Sequence, residues 1–143
     1  MRAKTREIIT QFYQTKESIR RQNSAAVGTG AHVGKMSREK GKRYEREIAG
    51  ILREYGYDAR RTAQYCGKSG NAADVEGLKG IHIECKFCQQ IKIYDWMEQA
   101  KRDSKGTGNK PTVWFRKNNH ETLVCMRMDD FIEMYREWSN GNL

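Results

Sequence analysis

The 143-residue chain has no apolar run approaching the roughly 20 residues that cross a bilayer. Its first stretch, MRAKTREIITQFYQ, is basic, but the apolar part is broken at Thr10 and Gln11, so it lacks the continuous core of a secretory signal. The three histidines (His32, His82, His120) are scattered and form no sequence cluster of metal ligands. The four cysteines (Cys66, Cys85, Cys88, Cys125) come without a secretory context, which makes reduced thiols in a cytosol the expectation. No segment repeats another.

Acidic residues are in deficit as well: 18 Asp and Glu against 27 Lys and Arg give a net charge of +9. A field of that sign gathers polyanions and speeds their encounter, so nucleic acid is the first partner to consider and an anionic membrane the second. The plain alternative is a soluble basic protein without such a partner. The length suits one compact domain with an extension.

The extension is residues 1–35. Thr5 to Gln22 reads as a helical arm with a patchy stripe of Ile8, Ile9, Phe12 and Ile19, and NSAAVGTGAHVGK reads as a glycine-rich linker. Met36 follows it and is an alternative first residue. In the domain, 36–143, Tyr44, Ile48, Ile51, Leu52 and Tyr55 recur at helical spacing after a start near Ser37, and Gly56 marks the stop. YDARRTAQY, ADVEGL and IHIECKF follow as strands, with CGKSGN and Lys79-Gly80 as turns. IYDWMEQAKRDS is a helix, KGTGNKP a loop, TVWFRK and ETLVCMRM a strand pair turned at Asn118-Asn119. DDFIEMYREWS closes the domain as a helix capped by Asp129 or Asp130, with Phe131, Met134, Tyr135 and Trp138 as its apolar face. The order α-β-β-β-α-β-β-α predicts an α/β fold with a small mixed sheet flanked by helices.

The chemistry concentrates in NAADVEGLKGIHIECKFC. Successive side chains of a strand point to opposite faces, so Ile81, Ile83, Cys85 and Phe87 share one face and His82, Glu84 and Lys86 the other. The second set is ionisable, and burying a carboxylate is costly unless something compensates it. Glu84 can pair with Lys86, or a divalent cation can sit between Glu84 and Asp74. The turn at Lys79-Gly80 makes residues 74–78 and 81–87 antiparallel neighbours and brings Asp74 near Glu84 within a residue or two of register. Two carboxylates and a backbone carbonyl are a hard-oxygen set that suits Mg²⁺ or Mn²⁺. Two carboxylates, a metal and a lysine in a basic protein fit phosphodiester hydrolysis. The metal acidifies water and neutralises phosphate charge, and the lysine orients the water or stabilises the transition state.

Asp74, with Glu84-Cys85-Lys86, resembles the D…(D/E)-x-K signature of the PD-(D/E)xK nucleases, with Ala73 where a proline often stands. GKRYEREIAGILREYGYDARR, GKSGNAADVEG and GIHIECK together resemble the archaeal and phage Holliday-junction-resolvase branch over about residues 37–90. The resemblance implies a restriction-endonuclease-like core and a metal-dependent DNA endonuclease that cuts four-way junctions as a homodimer in the cytoplasm of a bacterium or phage-infected cell. Asp74, Glu84 and Glu45 would be metal ligands and Lys86 the catalytic lysine. Arg46 would touch phosphate, Arg61 would end the first strand, and Arg60 is the second choice there. Periodicity does not separate Glu45 from Glu47; only the resemblance favours Glu45. Gln99, on the following helix where the family's catalytic core often uses a polar residue, is a further candidate, grouped with the nucleic-acid contacts. Lys101, Arg102, Lys105 and Lys110, around the glycine-rich loop, and Lys68, in CGKSGN, are read as nucleic-acid contacts.

Competing patterns are weaker. Cys85-x-x-Cys88 offers two zinc ligands where a structural site takes four, and its first cysteine lies inside a strand rather than at a helix start. Cys85 and Cys125 read as small core residues. GTGAHVGK has the wrong count for a phosphate loop. His82 is placed at the rim of the site. Trp96, Trp114 and Trp138 suit core or helix–sheet contacts. The alternatives to a junction resolvase are a nuclease of the same fold acting on flaps, ends or duplex sites, and a non-catalytic nucleic-acid-binding protein on the same scaffold.

Overall fold

A computed structural model describes residues 30–62 and 72–142. The arm at Thr5 to Gln22, Cys66 and Lys68 lie outside the described residues. Among the described residues, those from Gly34 on belong to one compact unit. The elements in chain order are α1 (Gly30–Glu54), β1 (Arg60–Arg61), β2 (Val75–Glu76), β3 (Ile81–Phe87), α2 (Ile93–Ser104), β4 (Lys110–Arg116), β5 (Leu123–Met126) and α3 (Met128–Asn142).

Helix α1 starts at Gly30, upstream of the expected start at Ser37, so residues 30–35 of the predicted linker are helical. Single glycines cost a helix only about 1 kcal/mol each, and the good helix formers Ala31, Lys35 and Met36 help to offset that. Tyr44, Ile48, Ala49 and Leu52 are the buried face of α1. The helix ends at Gly56, whose φ is 90°. There the amide of Gly56 donates to the Arg53 carbonyl and that of Tyr57 to the Leu52 carbonyl. This is the glycine-terminated Schellman pattern, which satisfies carbonyls left over at a helix end.

Five strands form one sheet in the order β1-β2-β3-β4-β5. β3 and β4 are parallel, joined by α2 as the crossover; the other pairs are antiparallel. The mixed α/β sheet expected from the sequence is therefore present. β1 and β2 are shorter than the runs that suggested them, two residues each. Just past β2 the chain is drawn tight at Gly77 (φ 132°), where a Cβ would fall 2.5 Å from the Cα of Ala59, the residue before β1, so only glycine fits.

The sheet is covered on both faces. On one, α1 contributes Tyr44, Ile48, Ala49 and Leu52 to a cluster with Val75, Ile83 and Cys85. On the other, Trp96 and Ala100 of α2 pack on Val113, with Met97 and Phe115 at the margin. β3 therefore lies between two helices, and its polar side chains must be satisfied inside the protein.

Candidate active site

Strand alternation divides β3 as expected. Ile83 and Cys85 enter the α1 cluster, while Glu84 pairs in register with Val113 of the α2 cluster. Glu84 is 3% exposed and Asp74 8%. Val75 lies opposite Ile83, and continuing that antiparallel register by one residue brings Asp74 level with Glu84. The amide of Asp74 donates to the Ile83 carbonyl (2.9 Å), and its Oδ2 accepts the Cys85 amide (2.8 Å). The uncertainty of register in the sequence is thus resolved in favour of facing carboxylates.

The pair is electrostatically tense. Burial pushes the Asp74 carboxyl up to about 7, the neighbouring Glu84 charge adds to the rise, and the Cys85 amide opposes it. Burial also raises Glu84, against the opposing hydrogen bond and charge of Lys86. Lys86 Nζ lies 2.7 Å from Glu84 Oε1.

Gln99 completes this arrangement. Its Nε2 donates to Glu84 Oε1 (2.8 Å), and its Oε1 accepts from Lys86 Nζ (2.9 Å). A carboxylate needs a donor and an ammonium needs an acceptor, so an amide bridges them in one orientation only. Gln99 was expected as a polar candidate of the catalytic core and grouped with the nucleic-acid contacts. Both ends of its amide are instead used inside the site, because α2 turns Gln99 toward β3 beside Ala100. Asp103, one turn further along α2, was not singled out from the sequence; its charge raises both Glu84 and His82. The spacing Trp96, Gln99, Ala100, Asp103 is the signal that marks the sheet-facing side of this helix.

The two glutamates of α1 go to different partners. Glu45 Oε2 pairs with Arg61 Nε at the end of β1, and its charge raises both Asp74 and Glu84. Glu47 is held by Arg116, Nη1 to Oε1 and Nη2 to Oε2, each at 3.0 Å. The Arg116 guanidinium lies 4.8 Å from the Tyr44 ring centroid and 4.7 Å from that of Phe87. Glu45 therefore belongs to the neighbourhood of Asp74 and Glu84, and Glu47 to a structural ion pair at the far end of β4.

Other expected residues are distributed as follows. Arg46 is exposed, and Arg60 is exposed with Nη2 3.2 Å from Glu76 Oε2. Lys105 is exposed in the loop after α2, away from the Lys86 end of β3. It lines a cavity of about 380 Å³ with Lys101, Gly106, Lys110, Arg127 and Asp130. Lys110 pairs with Glu133 and lies 4.0 Å from Asp130, and Lys101 pairs with Glu98 at 2.8 Å. Carboxylates thus already offset much of the basic charge around this loop. His82 is buried at 1% exposure, not at the rim, and its Nε2 has no hydrogen-bond partner among the described residues. Burial lowers its pKa, which favours the neutral ring. Cys85 is a core residue as expected, while Cys88 is exposed.

The donor set at Asp74 and Glu84 fits a hard divalent cation. The carboxylates face each other in a buried site, their mutual repulsion is one that a dication relieves, and the Lys86 and Gln99 contacts both fall on Oε1 of Glu84, outside its Oε2. Among the described residues no three His, Cys, Asp or Glu side chains come close enough to ligate one ion. Glu45, expected as a third ligand, is instead committed to Arg61. The fit is to an ion that takes one or two carboxylates and completes its shell with water and backbone oxygen, as Mg²⁺ does.

Sequence comparison extends beyond this motif. Protein D14 of Escherichia phage T5 is 29% identical over 121 residues, covering 66% of this chain and 72% of D14. The solved structure of Hjc, a Holliday junction resolvase of Archaeoglobus fulgidus, aligns with a TM-score of 0.49 and 22% identity over 60% of this chain and 76% of Hjc. Residues 36–142, which run from within α1 to the end of α3, match the family described as "Phage putative PDDEXK endonuclease". With Glu84 and Lys86 of its signature on β3 and Asp74 brought opposite them, the chain belongs to this family of phage PD-(D/E)xK endonucleases.

Proposed function

We propose that this protein is a Mg²⁺-dependent endodeoxyribonuclease of branched DNA, with the four-way junction as its substrate and two copies acting together in the host cytoplasm. Its family supports endonuclease chemistry, and PD-(D/E)xK nucleases use divalent metal ions. The observation that carries the reading is the meeting of buried Asp74 and Glu84 with part-buried Lys86 in a chain of net charge +9. The branched substrate is the finer part of the proposal and rests on the likeness of residues 37–90 to junction resolvases.

Asp74 and Glu84 would hold the ion, with Mn²⁺ as a substitute. Bound there, it would supply Lewis-acid stabilisation to the phosphate and a nucleophile at neutral pH. The protein's own groups do the rest. Gln99 fixes the Glu84 carboxylate and the Lys86 ammonium relative to one another, so neither has to reorganise during the reaction. Lys86 has three N–H donors and uses two of them on Glu84 and Gln99. The third is available to the attacking water or to a non-bridging phosphate oxygen, where negative charge grows in the transition state. Glu45 holds Arg61 beside the acidic pair, where the guanidinium can meet a neighbouring phosphate. Exposed Arg46 and Lys105, with Lys68, supply sequence-independent backbone contacts.

The test is a substrate panel: a four-way junction, a flap, a nicked duplex and plain duplex, each with Mg²⁺ or with EDTA. Paired symmetric nicks in the junction, dependent on Mg²⁺, are expected. Equal cutting of plain duplex would replace the junction reading with a general nuclease. Cleavage unaffected by EDTA would remove the metal assignment.

A further inference from the structure

Helix α3 is turned inside out for a monomer. No residue from Met128 to Gly141 is buried, and Met128, Phe131, Ile132 and Tyr135 are 72%, 55%, 46% and 55% exposed. These four recur at i, i+3, i+4 and i+7, so they form one stripe. The acidic residues Asp130 and Glu133 lie on the other side of the helix, and that side faces the domain: both contact Lys110 at the start of β4. An amphipathic helix of a monomer normally does the reverse. A helix of this length is marginal on its own in water and is held by what covers its apolar face. β5, which leads directly into α3, is the last strand of the sheet and adds Leu123 and Val124, 50% and 53% exposed.

Nucleic acid does not suit this face, because α3 carries Asp129, Asp130, Glu133 and Glu137 against a single Arg136 and is electronegative within a basic protein. The same charge disfavours an anionic membrane. Side chains of this kind offer on the order of 200 Å² each when fully exposed, so the six named, about half exposed, present roughly 600–700 Å². That approaches the ~800 Å² each partner contributes to a stable interface. An edge strand is matched best by another edge strand, and a stripe matched to itself is what a two-fold axis provides.

We infer that the α3 stripe and the β5 edge form the interface with a second copy of this chain, related by a two-fold axis. This rests on the dimeric reading above and specifies the face that reading leaves open. The dimer then carries two Asp74–Glu84 sites in fixed mutual geometry, as two coordinated cuts require.

Sedimentation equilibrium of the full chain, without DNA or metal, tests it. The wild type is expected at twice 16.7 kDa, with Tyr135→Glu and Leu123→Glu each weakening association about 30-fold or more. Tyr94→Glu, at an 86% exposed tyrosine on α2, should leave it unchanged. A monomer at every concentration, a dimer indifferent to both substitutions, or open-ended growth with concentration would each overturn the inference. Should a variant fail to fold, hydrogen exchange of the wild type decides: amides of α3 and β5 should lose protection on dilution, and uniform exchange would count against the interface. Nuclease activity is read separately, so a monomer that cuts junctions sinks this interface and leaves the chemistry standing.

Discussion

Ile83 and Glu84 are consecutive, both are buried, and they face opposite helices. Ile83 meets Tyr44, Ile48 and Val75, a surface that shape and hydrophobicity alone hold together. Glu84 meets Asp74, Lys86 and Gln99, where each hydrogen bond answers a charge and the balance is incomplete. One strand thus supplies stability on its α1 face and reactive strain on its α2 face. Period-two alternation lets the two requirements be met without interfering.

Substitutions on either side should separate the two roles. The largest effect is expected from Glu84→Gln and Lys86→Ala, each lowering single-turnover cleavage by about 100-fold or more, since the first weakens the hold on the ion and the second removes a positive charge aimed at the transition state. Both should still bind the substrate, measured by gel shift; joint loss of binding and folding would mean that the pair is structural. On the other face, Ile83→Ala should cost about 2–5 kcal/mol in urea unfolding, for the lost burial and the cavity left behind. At permissive temperature its folded fraction should cleave normally. A large loss of cleavage per folded molecule would mean that the two faces of β3 are coupled.

Much of this division was legible in the sequence, and the reasons for the exceptions are physical. GIHIECKF shows both faces because its apolar and ionisable sets alternate cleanly, and Gly80 fixes the turn that brings Asp74 back to Glu84. Glu45 and Glu47 were not separable. Residues two positions apart on a helix lie about 200° around it, so the two flank the Tyr44–Ile48 stripe, and only the tertiary placement of Arg61 and Arg116 assigns them. Lys105 and Lys110 look alike in sequence, yet Lys110 is held by the carboxylates of α3. Phe131, Met134, Tyr135 and Trp138 form the apolar face expected of the helix that closes the domain, but all four are exposed. Periodicity reports that a helix has an apolar side; it does not report which body covers that side.

Asp74 gives a smaller effect that probes the strain directly. Its carboxyl is raised to about 7, first by burial and then by Glu84, whereas in an unfolded chain it ionises near 3.8. Between those values the folded protein holds a proton that the unfolded chain has released. Metal-free stability should therefore fall as pH rises through this window, by at most about 1.4 kcal/mol per pH unit from this group. Asp74→Asn should flatten the slope in urea titrations run in EDTA, leaving the part due to Glu84. Mg²⁺ should raise the wild-type melting temperature more at pH 8 than below about pH 6, because the ligands must be deprotonated to bind, and it should do little for the Asn variant. An unchanged slope would place the strain elsewhere than at position 74.

Gln99→Ala is the mildest change and the most discriminating. It removes no charge and no ligand, only the bridge between Glu84 and Lys86. If the site works by holding those two groups in place, kcat should drop about tenfold with KM nearly unchanged, the signature of an interaction made only in the transition state. Gln99→Glu keeps the size of the side chain but sets a second carboxylate against Glu84. It should leave Lys86 competing between two anions and lower kcat further than the deletion. If the alanine variant instead raised KM with kcat intact, Gln99 would be a contact to DNA, and the α2 face of β3 would owe its geometry to the Glu84–Lys86 pair alone.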